Sequence, residues 1–367
     1  MAFTAAVAPE LMWDLWMHRA LALASLAEGQ TSPNPLVGAV VLDRWGTLVG
    51  ESFHARCGLP HAEVGALRQA GAAARDGTLV VTLEPCCHHG RTPPCSEAVL
   101  RAGIRRVVVA LEDPDPRVAG GGISQLRDAG LEVISGVLRQ HAVEQNRAFL
   151  HRIHTGRPWG VLKWAMSLDG RTALPNGVSQ WISGTRARDW VHRLRSQSDA
   201  VIVGGGTMRA DDPLLTSRGK CNPEPLRVVL SRRLDLPATA KLWNTTAAPT
   251  LVAHGPDADP NRLPPGPETL ELANCDPQHL MKALAGRGCN RVLWECGPEL
   301  AAAAIQQGCV QEITAVVAPK LMGGLAARTP LADLGFQGMD EAVDGRWTCV
   351  KGLGDDWLLG LRVDALS

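Results

Sequence analysis

The strongest constraint on how this chain folds is a set of metal-type donors split over three short segments, His61-Ala62-Glu63, Pro85-Cys86 and Pro94-Cys95. One imidazole and two thiols can hold one ion only if the fold brings all three segments to a single point. The local patterns place them suitably. Helical spacing over 62–70 makes His61 a helix start, an apolar run over 78–83 puts Cys86 after a strand end, and Cys95 opens a second helix over 95–102. Helix N-termini carry partial positive charge, which favours thiolate over thiol. Glu63 adds a carboxylate that is not needed as a ligand and is placed to move protons.

The elements around this cluster alternate. A helix over 12–26 ends near Gly29, strands over 36–42 and 47–53 are joined through Asp43-Arg44-Trp45-Gly46, and strand 106–111, helix 121–129 and strand 131–135 follow. This predicts an α/β layer with a largely parallel sheet. Residues 141–158 read as a connecting helix and turn. A second alternation then begins, with strand 160–166, helix 185–196 and strands 199–204 and 226–231. Beyond a Pro-rich stretch at 256–277 come helix 278–285, strand 291–295, helix 298–307 and strand 311–317. A chain of 367 residues exceeds what one core usually organises, and 45% hydrophobic residues suffice for two. The boundary is expected near residue 150, giving units 1–148 and 149–367.

Thirty-seven basic residues balance thirty-seven acidic ones, and no Lys/Arg-rich run is present. Nucleic acid is therefore not the expected partner, and a small-molecule substrate is. Ten cysteines without a regular framework, and no secretory leader pattern, point to a reducing, cytoplasmic setting with thiols free or metal-bound. No apolar stretch is long enough to suggest a membrane helix. A homo-oligomer is compatible with the sequence, which sets no oligomeric state. The chain has no tyrosine, against eleven tryptophans, so mechanisms needing a phenol as general acid are excluded.

His61, Cys86 and Cys95 are assigned to zinc, with water in the fourth position and Glu63 as proton shuttle. Cys87, His88 and His89 leave an alternative open, since a fourth protein ligand would close the site and make it structural. The other cysteines, Cys57, Cys221, Cys275, Cys289, Cys296, Cys309 and Cys349, read as inert, since a scattered cysteine usually serves as a small hydrophobe. An H-x-E followed by paired cysteines after proline resembles the zinc-deaminase signature P-C-x-x-C, except that here eight residues separate Cys86 from Cys95.

That gap, together with Pro33-Asn34-Pro35-Leu36-Val37-Gly38, Thr82-Leu83-Glu84-Pro85-Cys86 and Glu112-Asp113-Pro114-Asp115-Pro116, resembles the bifunctional deaminase-reductase family of riboflavin biosynthesis. The resemblance implies a cytidine-deaminase-like zinc domain acting on a diaminopyrimidine with a phosphoribosylamino group. It also implies that Asn34, His54, His88, Arg91 and Asp113 line the substrate pocket. The family usually has asparagine where this chain has Asp115, and a carboxylate near a phosphate is unfavourable, so Asp115 is not assigned to the pocket.

In the second half, Val203-Gly204-Gly205-Gly206-Thr207 and Glu295-Cys296-Gly297-Pro298 are Gly-containing turns after strands, where backbone can approach a phosphate. Neither is the G-x-G-x-x-G of a dinucleotide fold, and residues alone indicate a nucleotide-binding α/β domain. Resemblance extends through Lys163-Trp164-Ala165-Met166-Ser167-Leu168-Asp169-Gly170-Arg171, Ser179-Gln180-Trp181-Ile182, Asp211-Asp212-Pro213 and Leu215-Thr216-Ser217-Arg218 to the same family's reductase domain. It implies a dihydrofolate-reductase-like fold using NADPH. Ala165, Trp181, Thr207, Asp211 and Gly297 would contact the cofactor, and Lys163, Ser179, Arg195, Arg218 and Glu295 the substrate, with the two arginines gripping its phosphate. Ser231-Arg232 departs from the family's Asp-Ser, and Arg232 reads equally as a 2′-phosphate ligand of NADPH or as a solvated surface residue.

The expectation is thus a two-domain enzyme that deaminates a pyrimidine and then reduces its ribosyl group. Two other readings compete with it. A reductase on a zinc-stabilised scaffold would not need Glu63, and a nucleic-acid base deaminase would be basic and would have the shorter cysteine spacing.

Overall fold

The computed structural model describes residues 9–88, 93–115 and 120–363. The chain divides into two compact units, Met1–His154 and Thr155–Ser367.

Unit 1 contains α1 (Pro9–Ser25), β1 (Gly38–Leu42), β2 (Leu48–Phe53), α2 (Ala62–Ala70), β3 (Thr78–Val81), α3 (Cys95–Arg101), β4 (Arg106–Val109), α4 (Gly121–Asp128), β5 (Glu132–Ser135), α5 (Arg139–Gln145) and α6 (Arg147–Thr155). The five-stranded sheet runs β2-β1-β3-β4-β5. Side chains of β1 alternate: Ala39 and Val41 pack in one core with residues of α2 and α4, while Val40 and Leu42 pack in another with Met17, Ala20 and Leu21 of α1. The period-2 pattern thus builds helix, sheet and helix layers. Close approach on both faces depends on glycine. A Cβ at Gly38 would sit 2.0 Å from the carbonyl oxygen of Ala20, and one at Gly50 2.2 Å from that of Ala66.

The sheet is mixed, not largely parallel as expected. β1 is antiparallel to both β2 and β3, and only β3-β4 and β4-β5 are parallel. The short turn through Asp43–Gly46 reverses the chain, and the following α2 crossover carries β3 past β2 to the far side of β1. The connecting segment also differs from expectation. It is two helices broken at Asn146, whose buried side-chain amide accepts from Leu36 N (2.8 Å) and donates to Leu36 O (2.9 Å), in the manner of a strand partner.

Unit 2 contains β6 (Trp159–Ser167), α7 (Thr185–Ser196), β7 (Ala200–Gly204), α8 (Gly205–Asp211), β8 (Leu226–Leu230), β9 (Thr250–His254), β10 (Glu268–Glu271), α9 (Pro277–Gly286), β11 (Arg291–Trp294), α10 (Pro298–Gln306), β12 (Glu312–Ala318), β13 (Gly345–Leu353) and β14 (Asp356–Val363). The nine strands run β10-β9-β8-β7-β11-β6-β12-β14-β13, with β14 antiparallel to both neighbours and the other ladders parallel. Strand order reverses around β11 and β6, and in open α/β sheets ligands bind at the carboxyl ends of strands flanking such a point. Four strands and α8 go beyond the expected elements. β9 is buried throughout, so its apolar run has no period, while β13 is an edge strand with nearly every side chain exposed.

Arg227 on β8 is a fully buried cation whose hydrogen bonds go to neutral oxygens, with the Glu224 charge near enough to raise its pKa. Its Nη1 donates to Leu214 O (3.3 Å), and its Nη2 lies 2.7 to 3.0 Å from the carbonyl oxygens of Leu242, Asn244 and Ala248 and from Thr250 Oγ1, which share its two protons. Burial pulls its pKa down to about 10, and the contacts tie the loop after α8 to the loop before β9.

Candidate active sites

In unit 1 the three donors meet. His61 is the N-cap of α2, Cys86 lies beyond the end of β3, and Cys95 is the first residue of α3. His61 Nδ1 is 3.2 Å from Cys95 Sγ and 3.7 Å from Cys86 Sγ, and all three donor atoms lie within 4.8 Å of one another. Zinc bonds of about 2.0 Å to nitrogen and 2.3 Å to sulfur at tetrahedral angles require a nitrogen–sulfur edge of about 3.6 Å. The donor set and its spacing therefore fit zinc. Among the described residues these three form the one such cluster. Cys87 Sγ is 3.0 Å from where a Cβ on Gly121 would stand, which puts it at the start of α4 and outside the cluster. His89 and Arg91 lie outside the described residues.

The closeness of the two sulfurs favours the charged form of Cys86 and opposes that of Cys95. Cys95 holds the Cys86 thiol down, to about 4, with help from His61 and the Cys95 backbone N–H (3.4 Å), while the same contact and burial push Cys95 up. The Cys86 contact also raises the His61 pKa. Glu63, in the first turn of α2, is 3% exposed, and burial pushes its carboxyl up to about 7.

His61, Glu63 and Cys86 open into a cavity of about 510 Å³ lined also by Asn34, His54, His88 and Asp113, which the resemblance places in the substrate pocket. His54 is buried and uses both ring nitrogens, with Nδ1 3.2 Å from Pro60 O and Nε2 3.0 Å from Asn34 Nδ2. A carbonyl can only accept, so Nδ1 carries the proton and Nε2 accepts from the Asn34 amide. Burial lowers the His54 pKa, in keeping with a neutral ring. Asp113 is pushed up to about 6, chiefly by burial. Asp115, left out of the pocket on sequence grounds, does line it.

Four contributors were not legible in sequence. Glu84, 3% exposed, accepts from the backbone N–H groups of Asp113 (3.1 Å), Gly120 (3.0 Å) and Ile123 (3.0 Å), and so holds both ends of the Asp113 loop against the Cys86 segment. Phe149, Arg152 and Ile153 of α6 also line the cavity. The boundary expected after residue 148 would have cut them from it.

In unit 2, Lys163 on β6, Arg195 on α7 and Glu295 after β11 converge. Arg195 Nε and Nη2 donate to the two Glu295 carboxylate oxygens (2.5 and 3.0 Å), its Nη1 donates to Thr216 O (3.1 Å), and Lys163 Nζ is 3.8 Å from Glu295. Burial alone would raise the Glu295 carboxyl, but Arg195 and Lys163 outweigh it and hold the pKa at about 2. Burial lowers that of Lys163. The Arg195 fork thus faces Glu295 in place of the phosphate expected for it, while Arg218 is exposed.

Among the residues expected at the cofactor, two contacts are present. Ser179 Oγ donates to Asp211 Oδ1 (3.0 Å), joining one expected substrate contact to one expected cofactor contact. A Cβ at Gly297, the N-cap of α10, would stand 3.5 Å from Thr207 Oγ1, so the two Gly-containing turns face each other and leave a cradle of small residues that suits a nucleotide. Trp181 is exposed, with Arg188 over its ring at 4.6 Å and Lys320 Nζ on its carbonyl oxygen at 2.6 Å. Ala165 lies on β6. Arg232 is exposed just beyond β8.

Comparison with known proteins agrees with this division. Residues 13–111 match the cytidine and deoxycytidylate deaminase zinc-binding region, and residues 158–359 match the RibD C-terminal domain. The riboflavin biosynthesis protein RibD of Synechocystis is 49% identical over 346 residues, covering 93% of this chain and 94% of that protein. Escherichia coli RibD is 38% identical, with 95% and 98% covered. Among solved structures, Acinetobacter baumannii RibD (form 1) matches with a TM-score of 0.88 at 40% identity, covering 97% of this chain and 99% of that one. A Thermotoga maritima diaminohydroxyphosphoribosylaminopyrimidine deaminase/5-amino-6-(5-phosphoribosylamino)uracil reductase matches at 0.89 and 32%, with 97% and 99% covered. With a zinc-deaminase half and a reductase half, and with these relatives matched over nearly their whole length, the chain belongs to the RibD family.

Proposed function

We infer that this protein catalyses two successive steps of riboflavin biosynthesis, deaminating 2,5-diamino-6-(5-phosphoribosylamino)pyrimidin-4-one in unit 1 and reducing the ribosyl group of the product to ribityl in unit 2. The observation that carries the first step is the meeting of His61, Cys86 and Cys95 with a buried Glu63 two residues from the imidazole. His61, Cys86 and Cys95 would hold zinc, which when bound supplies the Lewis acidity that makes water a nucleophile near neutral pH. Glu63 takes a proton from the attacking water and delivers it to the departing amine, and its buried, water-poor surroundings favour that exchange. Asn34 presents its amide to the pyrimidine in an orientation set by His54. Asp113 and His88 supply further polar contacts at the wall.

In unit 2, Thr207, Asp211, Gly297, Ala165 and Trp181 would hold NADPH, which when bound supplies hydride. Lys163 and Glu295 orient the ribosyl hydroxyls, Ser179 reaches the same region, and Arg218 meets the phosphate. Arg195 acts chiefly by holding Glu295 ionised and in place. All ten cysteines are unpaired, which supports a cytoplasmic setting. Among the described residues no helix is long and apolar enough to cross a membrane.

Glu63→Gln tests the assignment. Ammonia release should fall by about 10²- to 10⁴-fold, while the same protein still oxidises NADPH when given the deaminated product. Ammonia release at the wild-type rate would overturn it.

A further inference from the structure

In unit 2, Arg218 is left to meet the substrate phosphate, because the Arg195 fork is committed to Glu295. Arg218 is exposed, and its backbone stands at φ 57°, in the left-handed region that a residue with a Cβ seldom adopts. Such a conformation persists where the surroundings impose it. Here they do so through Glu224. Its Oε2 accepts from Ser217 N (2.6 Å), and its Oε1 accepts from Ser217 Oγ (2.8 Å) and from Gly219 N (3.0 Å). One carboxylate thus takes the backbone N–H on each side of Arg218, as an anion is held in a nest of main-chain donors. Ser217 is fully buried, so the same bonds anchor the turn to the body of unit 2.

The segment is also tied to α7 at two points. Arg195 Nη1 donates to Thr216 O (3.1 Å), and Lys220 Nζ is 2.7 Å from Asp189 Oδ1. Those contacts fix where the segment lies, whereas the bonds of Glu224 act on the two residues adjoining Arg218. A loop that is ordered only on binding loses affinity to the entropy of ordering it, and a turn set beforehand does not.

We propose that Glu224 is a positioning residue for the reduction step, fixing the left-handed turn that brings Arg218 to the substrate phosphate; this rests on the reductase reading above. The test measures NADPH oxidation by the full chain with the deaminated pyrimidine phosphate and with its dephosphorylated counterpart. It compares wild type, Glu224→Gln, Arg218→Ala and the double variant. An amide offers one acceptor oxygen where the carboxylate offers two, so Glu224→Gln keeps the volume but turns a donor toward a donor of the loop. Bonds between a charged group and its partner correspond to about 10- to 100-fold in affinity. Arg218→Ala should raise KM for the phosphorylated substrate by that factor, and Glu224→Gln should raise it by about 10-fold, in KM rather than kcat. KM for the dephosphorylated compound and the Kd for NADPH should not move in Glu224→Gln. The double variant should match Arg218→Ala alone, because placement has no effect once the guanidinium is gone. Equal losses on both compounds, or weaker NADPH binding, would show that Glu224 only supports the fold of unit 2. Additive losses would show that it acts apart from Arg218, and an unchanged KM that the turn does not need it; each of these results overturns the proposal. Wild-type protein that oxidises no NADPH with either compound would sink the reductase reading, and wild-type KM in Arg218→Ala would remove the arginine from the phosphate. Both take the proposal with them, and each is read in its own arm.

Discussion

Glu295→Gln keeps the side chain's shape and removes the negative charge between Lys163 and Arg195. In the native protein these two cations hold the Glu295 carboxyl at about 2, against 4.5 for a free glutamate. Each pKa unit is about 1.4 kcal/mol of differential interaction, so the gap corresponds to about 3 kcal/mol. Removing one partner of a buried pair costs about 3–5 kcal/mol, which agrees. The variant leaves Arg195 and Lys163 buried together without a counter-charge, and unit 2 should lose about 3 kcal/mol at pH 7. Because the folded pKa lies below the unfolded one, the stabilisation is fully present above about 4.5 and fades as pH falls toward 2. The deficit of the variant should therefore shrink below pH 4.5. Urea denaturation at pH 7 and pH 3 measures it, followed by tryptophan fluorescence, since Trp294 is fully buried beside the substitution. Hydrogen exchange of the Arg291–Trp294 amides at pH 7 assigns the loss to unit 2. A variant within about 0.5 kcal/mol of wild type at pH 7, within the range of ordinary surface changes, would refute the reasoning, as would a deficit that grows on acidification.

Cys95→Ser should lower bound zinc, measured by elemental analysis, from one per chain to a small fraction and abolish ammonia release; retained zinc would mean that the ligand set is different. In a double-mutant cycle on ammonia release, His54→Ala and Asn34→Ala should be strongly non-additive, because His54 acts through the Asn34 amide, and additive losses would place His54 directly on the substrate. Arg227→Met removes the buried cation's hydrogen bonds to four carbonyl oxygens and Thr250 Oγ1 and should destabilise unit 2 by about 3 kcal/mol; a change under about 1 kcal/mol in denaturant unfolding would show that the loops do not depend on it.

Elements with a clear period or a clear stop were legible along the chain. The helix expected over 62–70 is found at Ala62–Ala70, and that expected over 185–196 at Thr185–Ser196. Strand pairing was less so, because partners are chosen by long-range packing: nothing local to β3 says that it joins β1 antiparallel. The site shows the same division. His61, Cys86, Cys95 and Glu63 were readable because their chemistry is unusual in combination. Glu84 and Arg152 are ordinary side chains whose roles arise from contacts with segments far along the chain, Glu84 with Ile123 and Arg152 with Pro33. Arg195 was readable as a site residue but not as a partner of Glu295, from which it is separated by 100 positions.

The central claim is that two sites on one chain act in a fixed order. It is tested most directly by incubating zinc-replete wild-type protein with the diaminopyrimidine phosphate, with and without NADPH, and following ammonia and NADPH separately. Ammonia released without NADPH, with NADPH consumed only after ammonia has formed, is the predicted result. NADPH consumption before any ammonia, or ammonia release that requires NADPH, would contradict it.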